Sequence, residues 1–118
     1  MDTRLTTNQE GNTAGSNATA VAITVILTEI EREELLWLAR VLPLRHLPIK
    51  RRVRTLLMST EGFSEHALSV LFSATIEVIR QWKQDWRGGG MEHLYGAMEA
   101  DGIATTELRN VWARVGHQ

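Results

Sequence analysis

The strongest constraint on this fold lies between Ser64 and Gly90, where two apolar-striped segments share one tight connection. Ser64 is a favourable N-cap for a short helix with Ala67, Leu68, Leu71 and Phe72 on its inner side. Ser73 and Ala74 form the turn, and Thr75 caps the helix that follows. That helix sets Val78, Ile79, Trp82 and Trp86 on one side, so both tryptophans are expected to be core pillars. Gly88, Gly89 and Gly90 are expected to stop it, because glycine adopts the left-handed conformation that helix ends favour. Two capped helices around a tight turn, preceded by a basic helix, make a helix-turn-helix unit.

The basic helix begins near Pro48, a residue suited to the first helical position. Ile49, Val53, Leu56 and Leu57 form its apolar stripe, and Lys50, Arg51, Arg52 and Arg54 occupy the remaining circumference. From Arg40 to Thr60 the chain carries six Lys or Arg residues and no acid. Net charge is only −1, so basicity is local and not global. The preceding segment reverses the sign, with Glu29, Glu31, Glu33 and Glu34 close together. One hairpin therefore carries opposed charges at its two ends.

That preceding helix starts at Thr28, which with Glu31 forms a capping box whose acids suit the positive end of the helix dipole. Leu35, Leu38, Ala39 and Leu42 recur at helical spacing, and Pro43 ends the helix. Leu36 and Trp37 fall off this stripe. They belong either to a core that wraps around the helix or to a partner surface.

Residues 1–17 are rich in Thr, Asn, Gly and Ser and too poor in large apolar groups to offset the entropy of ordering, which makes them a disordered tail. Residues 18–27 form an extended arm with β-branched Val21, Ile23, Val25 and Ile26, too short to span a bilayer. No secretory signal pattern precedes it, and a cytoplasmic location is expected, nucleoid-associated if the chain holds DNA. Residues 28–90 are the helix-turn-helix domain and 91–118 a helical extension. In the extension, His93, Leu94, Ala97 and Met98 share a side, Asp101–Gly102 marks a turn, and Thr105 or Thr106 caps a last helix through Leu108, Val111, Trp112 and Val115. The fold class is all-α: a helix-turn-helix bundle of four helices plus a C-terminal helical hairpin.

Catalytic constellations are missing. His46, His66, His93 and His117 are scattered without carboxylate partners at metal-ligand spacing, cysteine is absent, and no nucleophile motif or phosphate-cradling loop occurs. The expectation is a protein that is not an enzyme and carries no cofactor or metal.

From Leu27 to about Leu94 the chain resembles the amino-terminal homeodomain-like helix-turn-helix of mariner-like insertion-sequence transposases. The resemblance rests on Leu27–Thr28, Glu31–Arg32, Leu35, Leu38–Ala39–Arg40, Arg51–Arg52 and Leu56–Leu57. It continues through Glu61–Gly62–Phe63–Ser64, Thr75, Val78–Ile79–Arg80, Trp82 and Gly89–Gly90. It implies that the helix from Thr75 enters the major groove of duplex DNA. Two features depart from the family. Val70, Leu71, Ile76 and Glu77 stand where its members usually carry arginine or lysine, and no acid matches the family's metal-binding catalytic carboxylates. A detached, transposase-derived DNA-binding part is what the resemblance implies.

Two function classes follow. The first is sequence-specific duplex binding in transcription regulation or transposon-end recognition. Its contacts would be Lys50, Arg51, Arg52 and Arg54 on the basic helix, and Thr75, Ile76, Glu77, Arg80, Gln81, Lys83, Gln84 and Arg87 on the second helix of the unit. Arg80 and Gln81 suit guanine and adenine edges respectively. The second is a protein-interaction module, a dimerisation or adaptor surface on a frame that has lost DNA binding. Its contacts would be Leu36, Trp37, Val70, Leu71 and Ile76.

Overall fold

A computed structural model describes residues 22–115. The expected tail (1–17), the arm's first residues (18–21) and His117 lie outside them. Five α-helices form, with no strand among the described residues: α1 Glu29–Val41, α2 Leu47–Thr60, α3 Glu65–Phe72, α4 Ile76–Ala100 and α5 Thr105–Val115. A short 3-10 turn, Leu44–His46, joins α1 to α2. No helix among the described residues is long and apolar enough to cross a membrane.

The helix starts follow the sequence closely. Thr28 caps α1 with a full capping box: its hydroxyl accepts from the Glu31 amide at 3.1 Å, and Glu31 accepts from the Thr28 amide at 2.9 Å. Ser64 and Thr75 cap α3 and α4 in the same way, accepting from the Ala67 and Val78 amides. Pro43 follows the last turn of α1, where the Lys50 ammonium donates to the Leu42 carbonyl at 2.9 Å. Ser73 closes α3 in the left-handed conformation, which reverses the chain into α4.

One apolar core joins nearly every element. Leu35, Leu38 and Leu42 of α1 pack with Ile49, Val53, Leu56 and Leu57 of α2. Trp86, Leu94, Tyr95 and Met98 of α4 belong to the same cluster. The packing thus runs straight through the expected boundary at residue 90, and residues beyond it fill the same interior. The extended arm lies against the domain: Ile23 and Val25 are buried, and Trp86 donates its indole N–H to the Ile26 carbonyl at 3.2 Å.

The glycine run interrupts the helix from Thr75 as expected: Gly90 takes a positive φ (φ 58°, ψ −146°), and a second helical segment follows at once, so α4 is two helical segments joined at a kink. A Cβ on Gly89 would come within 2.6 Å of the His93 Cβ, so the kink also demands a bare backbone there. Two expectations need correction. First, the buried stripe of α4 before the kink is Ile79, Lys83 and Trp86. Trp82 is only half-buried, and Val78 is 39% exposed. Second, Leu71 turns outward from α3, and Leu68 alone is fully buried there.

The C-terminal part is held by polar contacts that periodicity did not show. The Tyr95 hydroxyl donates to Glu34 on α1, while burial and that carboxylate push its acidity far down. Arg109 of α5 lies 4.1 Å over the Tyr95 ring and bonds both oxygens of Glu92 at 3.0 Å. Trp112 meets Trp37 at 5.5 Å between ring centres. Thr105 is the first residue of α5, and its hydroxyl bonds back to Glu99. His46 ties the 3-10 turn to Asp101 at 3.0 Å.

Candidate functional site

The α3–turn–α4 hairpin is where the sequence concentrates its functional candidates, and its electrostatics turn on Glu65. This carboxylate stands in the first turn of α3, with its side chain only 11% exposed. It accepts from Arg80 at 2.7 Å, from Lys83 at 3.1 Å and from the Ile23 amide at 3.1 Å. Burial alone would raise its pKa. The Ile23 amide, Lys83 and Arg80 outweigh that and hold it below the usual carboxylate range. Glu65 thereby pins the arm, α3 and α4 together and takes up two of the cations proposed to meet DNA.

The remaining candidates divide by where they point. Lys83 lies inside, 4% exposed. Arg52 is also turned inward, bonded to His93 at 3.0 Å and paired with Asp85 at 3.4 Å. Burial lowers the Arg52 pKa against the opposing pull of Asp85. Gln81 donates to Asp85 at 2.8 Å, and the Thr75 hydroxyl is occupied by its cap. Exposed on α4 are Ile76, Glu77, Val78, Gln81, Gln84 and Arg87. Between its first residue and the glycines, the outer face of α4 thus shows one acid and one base.

The basic face of α2 does not converge with that surface. Arg52 reaches α4, and Arg54 lies two residues on, about 200° around the helix. It opens onto a groove between α1 and α2 that Arg40 and Lys50 also line. Arg51 is half-buried between these directions. Arg54, the exposed cation of α2, thus opens onto a groove that no residue of α4 lines.

Around the turn the surface is apolar. Val70 is 67% exposed, Leu71 54%, and Ile76 and Val78 39% each. Three of these four were singled out from sequence, and Val78 was assigned to the core. Leu36 is exposed as well, but it stands on α1. Trp37 is not available to a partner, being 9% exposed and packed on Trp112. Glu65 was missed entirely: an acid after an N-cap reads as an ordinary helix-dipole residue, and nothing local announces cations fifteen and eighteen positions on. No family model, curated protein or solved structure matches this chain.

Proposed function

We propose that this chain is a non-catalytic protein-interaction module built on a helix-turn-helix frame. Its docking surface is the apolar patch of Val70, Leu71, Ile76 and Val78. The observation that carries the reading is the exposure of these four side chains around one turn, on a hairpin where Glu65 takes up Arg80 and Lys83 and leaves Arg87 outside. Apolar side chains exposed around one turn gain little in an isolated chain, and a protein partner would remove them from water. Descent from a transposase helix-turn-helix that exchanged phosphate contacts for apolar ones accounts for both the frame and the departures at Val70, Leu71, Ile76 and Glu77.

Duplex binding is the competing reading, supported by the exposed arginines Arg40, Arg45 and Arg54. None of those cations stands on α4, and Glu77 adds repulsion where a groove-reading helix would meet phosphate. The test is a photo-crosslinking residue in place of Leu71, activated in the native host. A discrete protein adduct that disappears when Ile76→Asp is added supports the interaction module. A nuclease-sensitive adduct overturns it.

A further inference from the structure

The outer face of α1 carries Glu29, Glu33, Leu36 and Arg40, all exposed, at steps of four, three and four residues. These steps place the four side chains on one stripe of the helix. The stripe is acidic at the start, apolar in the middle and basic at the end. Beside its basic end, Lys50 and Arg54 of α2 flank the α1–α2 groove, whose floor includes Ala39, Leu57 and Met58. None of Glu29, Glu33, Arg40 or Arg54 has an ion-pair partner among the described residues.

We infer that this face binds a second copy of the chain, α1 against α1 in antiparallel sense about a two-fold axis. A surface that is acidic at one end and basic at the other is complementary to itself after that rotation. Glu29 and Arg40 are eleven residues apart, about 16 Å along the axis. A two-fold midway between them sets Glu29 of each copy level with Arg40 of the other, with Glu33 about 6 Å further in, one turn from that arginine. Leu36 then lies within about 2 Å of the axis along the helix, so both Leu36 side chains meet at the centre. Met58, flexible and polarisable, sits beside them in the groove to fill the seam. Parallel pairing would oppose like charges at both ends, so the charge order selects one orientation. The dimer leaves the α3–α4 patch uncovered, and each particle would present two hairpins. This inference does not depend on what those hairpins hold.

Sedimentation of the full chain at low salt tests it with a charge exchange. The basic variant carries Glu29→Arg and Glu33→Arg, and the acidic variant carries Arg40→Glu and Arg54→Glu. All four sites are exposed, so both should keep the parental far-UV spectrum and a cooperative melt, lowered only by the cost of reversing charge at the ends of α1. The parent is expected as a dimer, each variant alone as a monomer, and their equimolar mixture as a dimer again, because both ends of the mixed pair are complementary. Leu36→Asp is expected to give a monomer, and Leu71→Asp to remain dimeric. A parent that stays monomeric at high micromolar concentration overturns the inference. So does a dimer that survives both charge variants, or one lost on Leu71→Asp alone.

Discussion

Replacing Glu65 with alanine should be among the most damaging single changes in this chain, despite its place on a short outer helix. The Lys83 ammonium is 4% exposed and donates to Glu65 at 3.1 Å. Removing the carboxylate leaves a buried cation without compensation, which costs about 3–5 kcal/mol. The Ile23 amide loses its acceptor as well, adding about 1 kcal/mol. Arg80 is less enclosed and can turn to solvent, so its share is small. The sum, about 4–6 kcal/mol, is a large part of the roughly 5–15 kcal/mol that holds a domain of this kind together. Lys83→Met should cost much less, because Glu65 keeps both Arg80 and the Ile23 amide. Glu65→Leu combined with Lys83→Met should recover most of the loss, since apolar groups can replace a buried pair nearly neutrally. Urea unfolding followed by tryptophan fluorescence and far-UV circular dichroism measures all three, with the slope checked for two-state behaviour. An alanine variant within about 1 kcal/mol of the parent, or a Lys83→Met variant more damaged than it, would refute the reasoning.

Four further outcomes are expected. Because Glu65 is held below its unfolded value, its stabilisation is present above the ordinary glutamate pKa of about 4.3 and is lost as pH falls through the lower folded value. Glu65→Gln should therefore flatten the acid limb of the stability profile. Trp86→Ala should cost about 3–5 kcal/mol, and Trp82→Ala no more than about 1–2, since a half-buried ring loses only part of its transfer energy. Thr55 is fully buried with its hydroxyl unpaired, so Thr55→Val should be neutral or raise stability by about 1 kcal/mol in the same urea experiment. Gly90→Ala should cost about 1–3 kcal/mol by thermal melting, because an alanine has no comfortable place at φ 58° and ψ −146°.

What the sequence disclosed was mostly local. Thr28 with Glu31, Ser64, Thr75 and Pro43 mark helix ends through groups a few residues away, and each behaves as its neighbours dictate. The stripe of α2 is strong enough to read without ambiguity, and all four of its residues are buried. Where the reading failed, the cause was long-range. Lys83 looks like a surface cation until Glu65, eighteen residues earlier, is folded against it. Its inward turn rotates the buried stripe of α4 and leaves Trp82 and Val78 partly outside. Arg52 is indistinguishable from Arg54 in sequence, yet Asp85 and His93 draw only one of them inward. The glycines read as a helix end, and Gly90 does leave helical geometry; what stayed hidden was the packing beyond it. Tyr95 and Leu94, which carry the chain back into the core, supply the packing that lets helix resume after the break.

The proposed function has the hairpin from Glu65 to Arg87 meeting protein and not reading duplex. Titration of the labelled chain with duplex DNA, monitored by amide chemical shifts at low and moderate salt, addresses it most directly. No salt-dependent perturbation is expected at Ile76, Glu77, Gln81 or Gln84, even at low ionic strength. Shifts concentrated on those residues would contradict it if log affinity fell with log salt at about −0.9 per phosphate and binding strengthened on Glu77→Lys.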